Sequence, residues 1–293
     1  MVFWRIYNNN LYAVNRVDVL GWSESNAMYI PHEYLEKQDF VISRSCLGIG
    51  DWGVISAMPR LLKEKYPNCR VRIPSESLLK HLFAPYSQEW VKSWENPYKT
   101  MEYVFANNPY VDGYANSVEG EIFHDHYQIY NENNPKIPLL EQMLKFWQFS
   151  PEEYEDSSPE LYFSEEEKIQ GDSVIKENFK GEFGTLLISN RYNENKDKEF
   201  IQKALKKYSK LPYFYWVKDN KYLADFNVNL VKNLSDIPIR IQMYIKTQAE
   251  VIIGNMSGAD IMFPRYTKVY MAERDNFGSN IVKGNLIINK ANI

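Results

Sequence analysis

The sequence predicts an α/β protein of two units, each wound on a largely parallel sheet, with a ligand cleft between them. Three observations predict this. The apolar run Phe40-Val41-Ile42 leads through Leu47-Gly48-Ile49-Gly50-Asp51-Trp52-Gly53 into a helical segment. A strand that turns through glycines into a helix leaves backbone N–H groups free at the helix start. A second apolar strand, Val251-Ile252-Ile253, runs into Gly254-Asn255-Met256-Ser257-Gly258. Strands also alternate with helical patterns in both halves, the order expected of parallel sheets with crossover helices.

Residues 1–38 are polar and irregular after a short first strand and read as an added hairpin or arm. A strand over 40–46 follows, then a helix over about 52–66, in which Val54, Ile55, Met58, Leu61 and Leu62 recur at helical spacing. Pro59 falls early enough in that helix to be tolerated with a kink, and Pro67 stops it. Arg70-Val71-Arg72-Ile73 alternates as a strand, and Ser77 to Phe83 is a short helix. The middle is less regular, with a turn at Asn107-Asn108-Pro109 and an amphipathic helix from Ile137 to Phe149.

Ser150-Pro151-Glu152-Glu153 and Ser164-Glu165-Glu166-Glu167 are capping boxes, and the second starts a helix ending near Phe179. Between them, Asp156-Ser157-Ser158-Pro159 has linker composition. The second half gives strands at 185–189, 213–217, 249–253 and 269–271, with helices over 198–208 and 237–246. The predicted division is 1–155, with 1–38 as the arm, then a linker and helix over 156–182, then 183–293.

Composition narrows the function. The chain has 293 residues, enough for two domains, and a formal net charge of −4, so nothing favours nucleic acid or an anionic membrane surface. No apolar run approaches the roughly 18 residues of a membrane span, and the N-terminus lacks the apolar centre of a signal peptide. Cys46 and Cys69 cannot form a disulfide framework and read as small buried thiols. A cytoplasmic location is the expectation.

Gly48-Ile49-Gly50-Asp51, followed by Ile55-Ser56-Ala57-Met58-Pro59-Arg60-Leu61-Leu62-Lys63-Glu64-Lys65-Tyr66-Pro67, resembles the N-terminal signature of the lipopolysaccharide heptosyltransferase family. Asn108-Pro109-Tyr110-Val111-Asp112 is similar to that family's N-P-x-V-D element, and Ile252 to Gly258 to its late G-N-D-[ST]-G turn. The resemblance spans about residues 40 to 275. It implies a GT-B architecture, two Rossmann-like domains facing across a cleft, with an acceptor side first and a nucleotide-sugar side second. It implies inverting, metal-independent glycosyl transfer from a nucleotide-diphosphate sugar to a glycan or glycolipid hydroxyl. No cofactor beyond that co-substrate is implied, no nucleic acid partner, and at most peripheral membrane contact.

Carried over position by position, Asp51 matches the catalytic aspartate, with Gly48 and Gly50 forming its turn. Lys196 or Lys198 matches a lysine that holds the donor phosphate, after Arg191, and all three read as lying in a polar loop before a helix. Ser257 and Gly258 match the turn whose backbone meets the diphosphate. Two departures stand out. The family's aspartate in the late motif is Met256 here, and its histidine is Ile261. The Asn255 side chain is then a candidate for a sugar or ribose hydroxyl.

Each assignment has a plainer competitor. An Asp just before a helix is also a favoured N-cap. Arg191, Lys196 and Lys198 also suit a solvated loop, and Ser257-Gly258 an ordinary strand-to-helix turn. His124-Asp125-His126 would set its two histidines on one face of a strand, two ligands that do not make a site without help, and no Asp-x-Asp triplet occurs, so no metal site is expected. Trp90 and Trp94, four apart, suit core packing better than sugar stacking. The rivals to glycosyl transfer are a sugar-nucleotide epimerase of the same fold and a non-catalytic nucleotide- or sugar-binding descendant.

Overall fold

The computed structural model describes residues 2–7, 10–15, 28–30, 39–42, 47–83, 97–116, 122–124, 140–141, 144, 149–189, 192–217, 220–255, 258–272 and 282–289. Two compact units emerge, one from the described residues up to Ser157 and one from Ser158 onward.

In the first unit, β1 (Val2–Tyr7), β2 (Asn10–Asn15) and β3 (Met28–Ile30) form a small antiparallel sheet in which Tyr7 pairs with Asn10 and Tyr12 with Tyr29. This sheet occupies the expected arm. The main sheet holds β4 (Asp39–Ile42), β5 (Arg70–Pro74), β6 (Tyr114–Ala115) and β7 (Ile122–His124), all parallel, in the order β6-β5-β4-β7.

One expectation fails at the first helix. The segment expected as a single helix over 52–66 is two, α1 (Ile49–Val54) and α2 (Met58–Lys65), separated by a turn at 55–57. Pro59 is therefore no internal kink. It sits in the first turn of α2, where its missing N–H would have no helical partner anyway. Ser56 Oγ donates to Gly53 O at 2.8 Å and closes the break. Trp52, Val54, Ile55, Met58, Leu61 and Leu62 are all buried, so the spacing identified the inward face although the helix is divided.

Further along come α3 (Glu76–Phe83) and α4 (Thr100–Phe105). The Asn108-to-Asp112 element is a tie at the sheet. Asn107 takes φ 59° and Gly113 φ 134°, the left-handed turns that swing the chain back to β6. Asp112 accepts from Val71 N at 2.7 Å and pairs with Lys63 Nζ at 2.6 Å. Burial pushes the Asp112 carboxyl up, but those two hydrogen bonds outweigh it and hold its pKa below the usual value. Cys69 is a buried thiol, as expected, with its pKa raised to about 11 chiefly by burial.

The first capping box forms: Glu153 accepts from Ser150 N at 2.7 Å and also pairs with Lys65. Of the helix expected over 137–149, positions 140, 141 and 144 are helical and Phe149 is not; the remainder lies outside the described residues. So do Trp90, Trp94, Asp125 and His126.

The second unit opens with α5 (Glu165–Asn178), capped as expected: Ser164 Oγ accepts from Glu167 N, and Glu167 accepts from Ser164 N. Of the segment read as a linker and helix, residues 158–182 fall in this unit, where α5 packs against α7 (Ile239–Thr247). Arg240 grips both carboxylate oxygens of Glu167, at 2.8 and 2.9 Å, and donates also to Tyr162 O. Its guanidinium lies over the Phe163 ring.

The sheet of this unit has six parallel strands. They are β8 (Gly184–Ile188), β9 (Pro212–Val217), β10 (Asn229–Asn233), β11 (Val251–Asn255), β12 (Lys268–Ala272) and β13 (Leu286–Asn289), in the order β10-β9-β8-β11-β12-β13. Every residue of β8 and β11 is buried, the near-continuous apolar pattern of strands covered on both faces. One face packs Leu186, Ile188, Val251 and Ile253 against Ile201, Ala204 and Leu205 of α6 (Glu194–Lys207). The other packs Phe214 against Phe179, Phe183, Ile241 and Ile245. β10 and β13 were absent from the sequence reading.

Candidate functional site

Numbered along the chain, the strands of the second unit lie in the order 3-2-1-4-5-6. The chain leaves β8 toward one side, through β9 and β10, and returns to the other side at β11. In such sheets ligands bind outside the carboxyl ends of the strands, at the point where the order reverses. Here that point is the exit of β8 and β11.

Two residues meet there. Ser189 N donates to Asn255 Oδ1 at 2.7 Å, and Asn255 Nδ2 donates to Ser189 Oγ at 3.0 Å. Asn255, a candidate for a ligand hydroxyl, thus uses its buried carboxamide to join two strand ends. Gly254 precedes it because no side chain fits: a Cβ would stand 2.6 Å from Leu187 O. Gly258 opens a short 3-10 turn, Gly258–Asp260; Met256 and Ser257 lie outside the described residues. Ile261 is 1% exposed and packs in the core.

The lysines are placed differently from the expectation. Asn193 caps α6, its Oδ1 accepting from Asn195 N, while the Asp197 carboxylate accepts from Asn193 N. The helix therefore starts before Lys196, and both Lys196 and Lys198 are on it rather than in a loop. Lys196 is exposed in the first turn. Lys198 donates to Asp225 Oδ1 at 2.7 Å and to Glu194 Oε1 at 2.8 Å. Those hydrogen bonds, the Asp225 one first, raise its pKa. Asp225 is correspondingly lowered, mainly by Lys198 and against its burial, with the Tyr192 hydroxyl adding a second contact at 3.0 Å. Arg191 lies outside the described residues. Asp225 was missed in the sequence; it is 27 positions from Lys198 and carries no local signal.

The first unit begins with the same order, 3-2-1-4, and reverses between β4 and β7. Past the end of β4, Gly48 is the N-cap of α1, in extended conformation (φ −71°, ψ 139°), and provides no side-chain cap. Asp51 is the third residue of the helix, not its cap. It is partly exposed, and its N–H donates to Gly48 O at 3.0 Å. Gly50 and Trp52, its near neighbours in the helix, are buried. Thr100 Oγ1 donates to Leu47 O at 2.6 Å, fixing the approach to the turn from α4. An acidic residue in a first helical turn also complements the helix dipole.

Against the expectation that no full dinucleotide fingerprint follows the first strand, Gly48, Gly50 and Gly53 have its G-x-G-x-x-G spacing. The context departs from it: the helix that these glycines open, α1, stops at Val54. Among the described residues no group of three or more His, Cys, Asp or Glu side chains is placed to hold a metal ion, and no helix is long and apolar enough to cross a membrane.

No protein-family model matches the chain, and no curated protein sequence matches it significantly. The solved structure of ADP-heptose lps heptosyltransferase II from E. coli is 13% identical over 86% of this chain and 89% of that one, at a TM-score of 0.44, a likeness too weak to carry weight. The glycosyl transferase family 9 protein from Veillonella parvula DSM 2008 aligns over 87% of this chain and 86% of its own, at 9% identity and a TM-score of 0.56. At that identity the likeness is one of fold: this chain is a mixed α/β protein of parallel sheets that shares the fold of that glycosyl transferase.

Proposed function

We propose that the protein is a glycosyltransferase that moves a sugar from a nucleotide-diphosphate donor to a hydroxyl of a glycan or glycolipid, with inversion and without a metal. The single observation that carries this reading is the fold likeness to a family 9 glycosyl transferase over 87% of the chain. It is supported by Asp51 standing after the first main-sheet strand of unit one, on the turn that resembles the heptosyltransferase signature.

In this reading the first unit takes the acceptor and the second the donor, in a GT-B arrangement. The Asp51 carboxylate removes the acceptor hydroxyl proton as the oxygen attacks the anomeric carbon, and the nucleoside diphosphate leaves from the opposite face. Negative charge grows on the leaving diphosphate. Arg191, Lys196 and Lys198, with backbone groups of the Ser257-Gly258 turn, meet that charge. Lys198 must then exchange a carboxylate partner for phosphate. The protein would work in the cytoplasm, at most touching a membrane through its acceptor.

A thermal-shift screen against ADP-, GDP-, UDP- and CMP-linked sugars identifies the donor. Asp51→Asn should then keep nucleotide affinity and lower transfer by about 10²–10⁴-fold, the usual share of a general base. Retention of most activity refutes Asp51 as the base, and the absence of any nucleotide shift refutes the donor site. Replacing Lys196 and Lys198 together by Ala should weaken nucleoside diphosphates far more than nucleosides.

A second reading, a non-catalytic binding descendant, is favoured by Ile261 lying in the core where the resembling family has a histidine. Nucleotide binding in calorimetry, with no turnover of any donor sugar, would select it.

A further inference from the structure

Beneath the exit of β11 lies a charge pair that the proposed reaction does not use. Lys246 Nζ, from α7, meets Asp260 Oδ1 at 2.5 Å, with the two side chains 7% and 2% exposed. The Lys246 ammonium also lies 5.7 Å from the centre of the Phe263 ring. Asp260 closes the Gly258–Asp260 turn, and its carbonyl accepts from Phe263 N. Its Oδ2 is buried, has no hydrogen-bond partner among the described residues, and faces Gly254, where a Cβ would be 3.5 Å away.

Buried ion pairs are poor sources of stability, because desolvating both charges offsets their attraction, and apolar residues of similar size often serve as well. What a charge pair supplies and an apolar pair does not is a fixed geometry. The placement here has that character. Successive residues of a strand face opposite sides, so Gly254 faces Asp260 and α7 while Asn255 reaches Ser189. The chain is thereby tied twice, at Asn255 to the end of β8 and at Asp260, which closes the turn, to α7.

We propose that Lys246 and Asp260 are positioning residues that hold the Gly258–Asp260 turn in register with the end of β8, and so preset the backbone that meets the donor diphosphate. The diphosphate part rests on the reading under "Proposed function"; the positioning itself does not.

The test compares the full-length protein with the double variant Lys246→Met/Asp260→Leu, which replaces the pair by apolar groups. Amide hydrogen exchange over residues 258–263 is measured without ligand, and binding of ADP, GDP and UDP is measured against adenosine, guanosine and uridine. In the double variant, exchange over 258–263 should speed up at least tenfold while β8 and β11 keep their protection. Affinity for the preferred diphosphate should fall at least tenfold with its nucleoside unchanged. Unaltered exchange at 258–263 overturns the proposal. So does an unaltered ratio of diphosphate to nucleoside affinity in a protein that binds nucleotide. If the wild-type chain binds none of these nucleotides yet exchange responds as stated, the positioning role stands and the donor-site reading falls. Should the double variant fail to fold, Asp260→Asn, which keeps the shape and removes the charge, is judged by the same two measurements.

Discussion

Ser189 and Asn255 are 66 positions apart and exchange two hydrogen bonds where β8 and β11 end. This pairing extends the contact between β8 and β11 beyond Leu187 and Gly254, their last partners in the ladder. Asn255→Ala removes a buried acceptor and donor together, and a buried polar group that loses its partner costs about 1–3 kcal/mol. We expect a loss of that size in urea unfolding, with nucleotide binding falling in parallel. Full stability with selective loss of binding would return Asn255 to the ligand-contact role its sequence position suggested.

Gly171 lies inside α5, where Ala is ordinarily favoured by about 1 kcal/mol. Here the sign should reverse. A Cβ at Gly171 would stand 2.2 Å from the Tyr244 ring, which is held by the hydroxyl's bond to Asp172. Gly171→Ala should lower the thermal midpoint, and Tyr244→Ala in the same chain should make the Ala substitution harmless or helpful.

Arg240→Lys keeps the charge and discards the two-pronged grip on Glu167. Hydrogen bonds to charged groups contribute about 1.5–3 kcal/mol each, so chemical denaturation should show a loss within that range. Because Glu167 also completes the cap of α5, hydrogen exchange should rise first at residues 165–168. Uniform loosening across the unit would contradict this.

The Asp225 carboxyl has a pKa lowered from 3.8 in the folded protein, chiefly by Lys198. A depressed carboxyl pKa contributes stability that is present above the unfolded value and fades as pH falls through the folded one. Asp225→Asn should therefore be less stable than wild type at pH 6, and the difference should shrink below about pH 4. A gap that is constant from pH 6 to pH 2 would mean the ionised carboxylate contributes nothing.

Local signals carried much of the fold. Ser164 and Glu167 announce their helix because a capping box is complete within four residues, and β8 and β11 announce themselves because burial on both faces demands continuous apolar runs. The division between α1 and α2 escaped because Val54, Ile55 and Met58 keep a helical period across the turn. β10 escaped because Asn229, Lys232 and Asn233 lack the composition of a strand, and β13 because it is four residues at a sheet edge. At the candidate site, order along the chain places Asp51 and Gly258 after strands of their sheets, and the roles given to them are the proposal above. The capture of Lys198 by Asp225 and the pairing of Asn255 with Ser189 were not legible, because each joins residues that only the folded sheet brings together.

The outermost strands of the six-stranded sheet differ in what they present to a stranger. β10 carries a bulge between Leu230 and Lys232 and a charged side chain, devices that discourage another polypeptide from adding itself to the ladder. β12, with Val269, Tyr270, Met271 and Ala272 all buried, is flanked on its outer side by β13 alone among the described residues. Trimming the chain ahead of Leu286 would bare a sticky seam, and clumping rather than simple unfolding would be the damage to watch for.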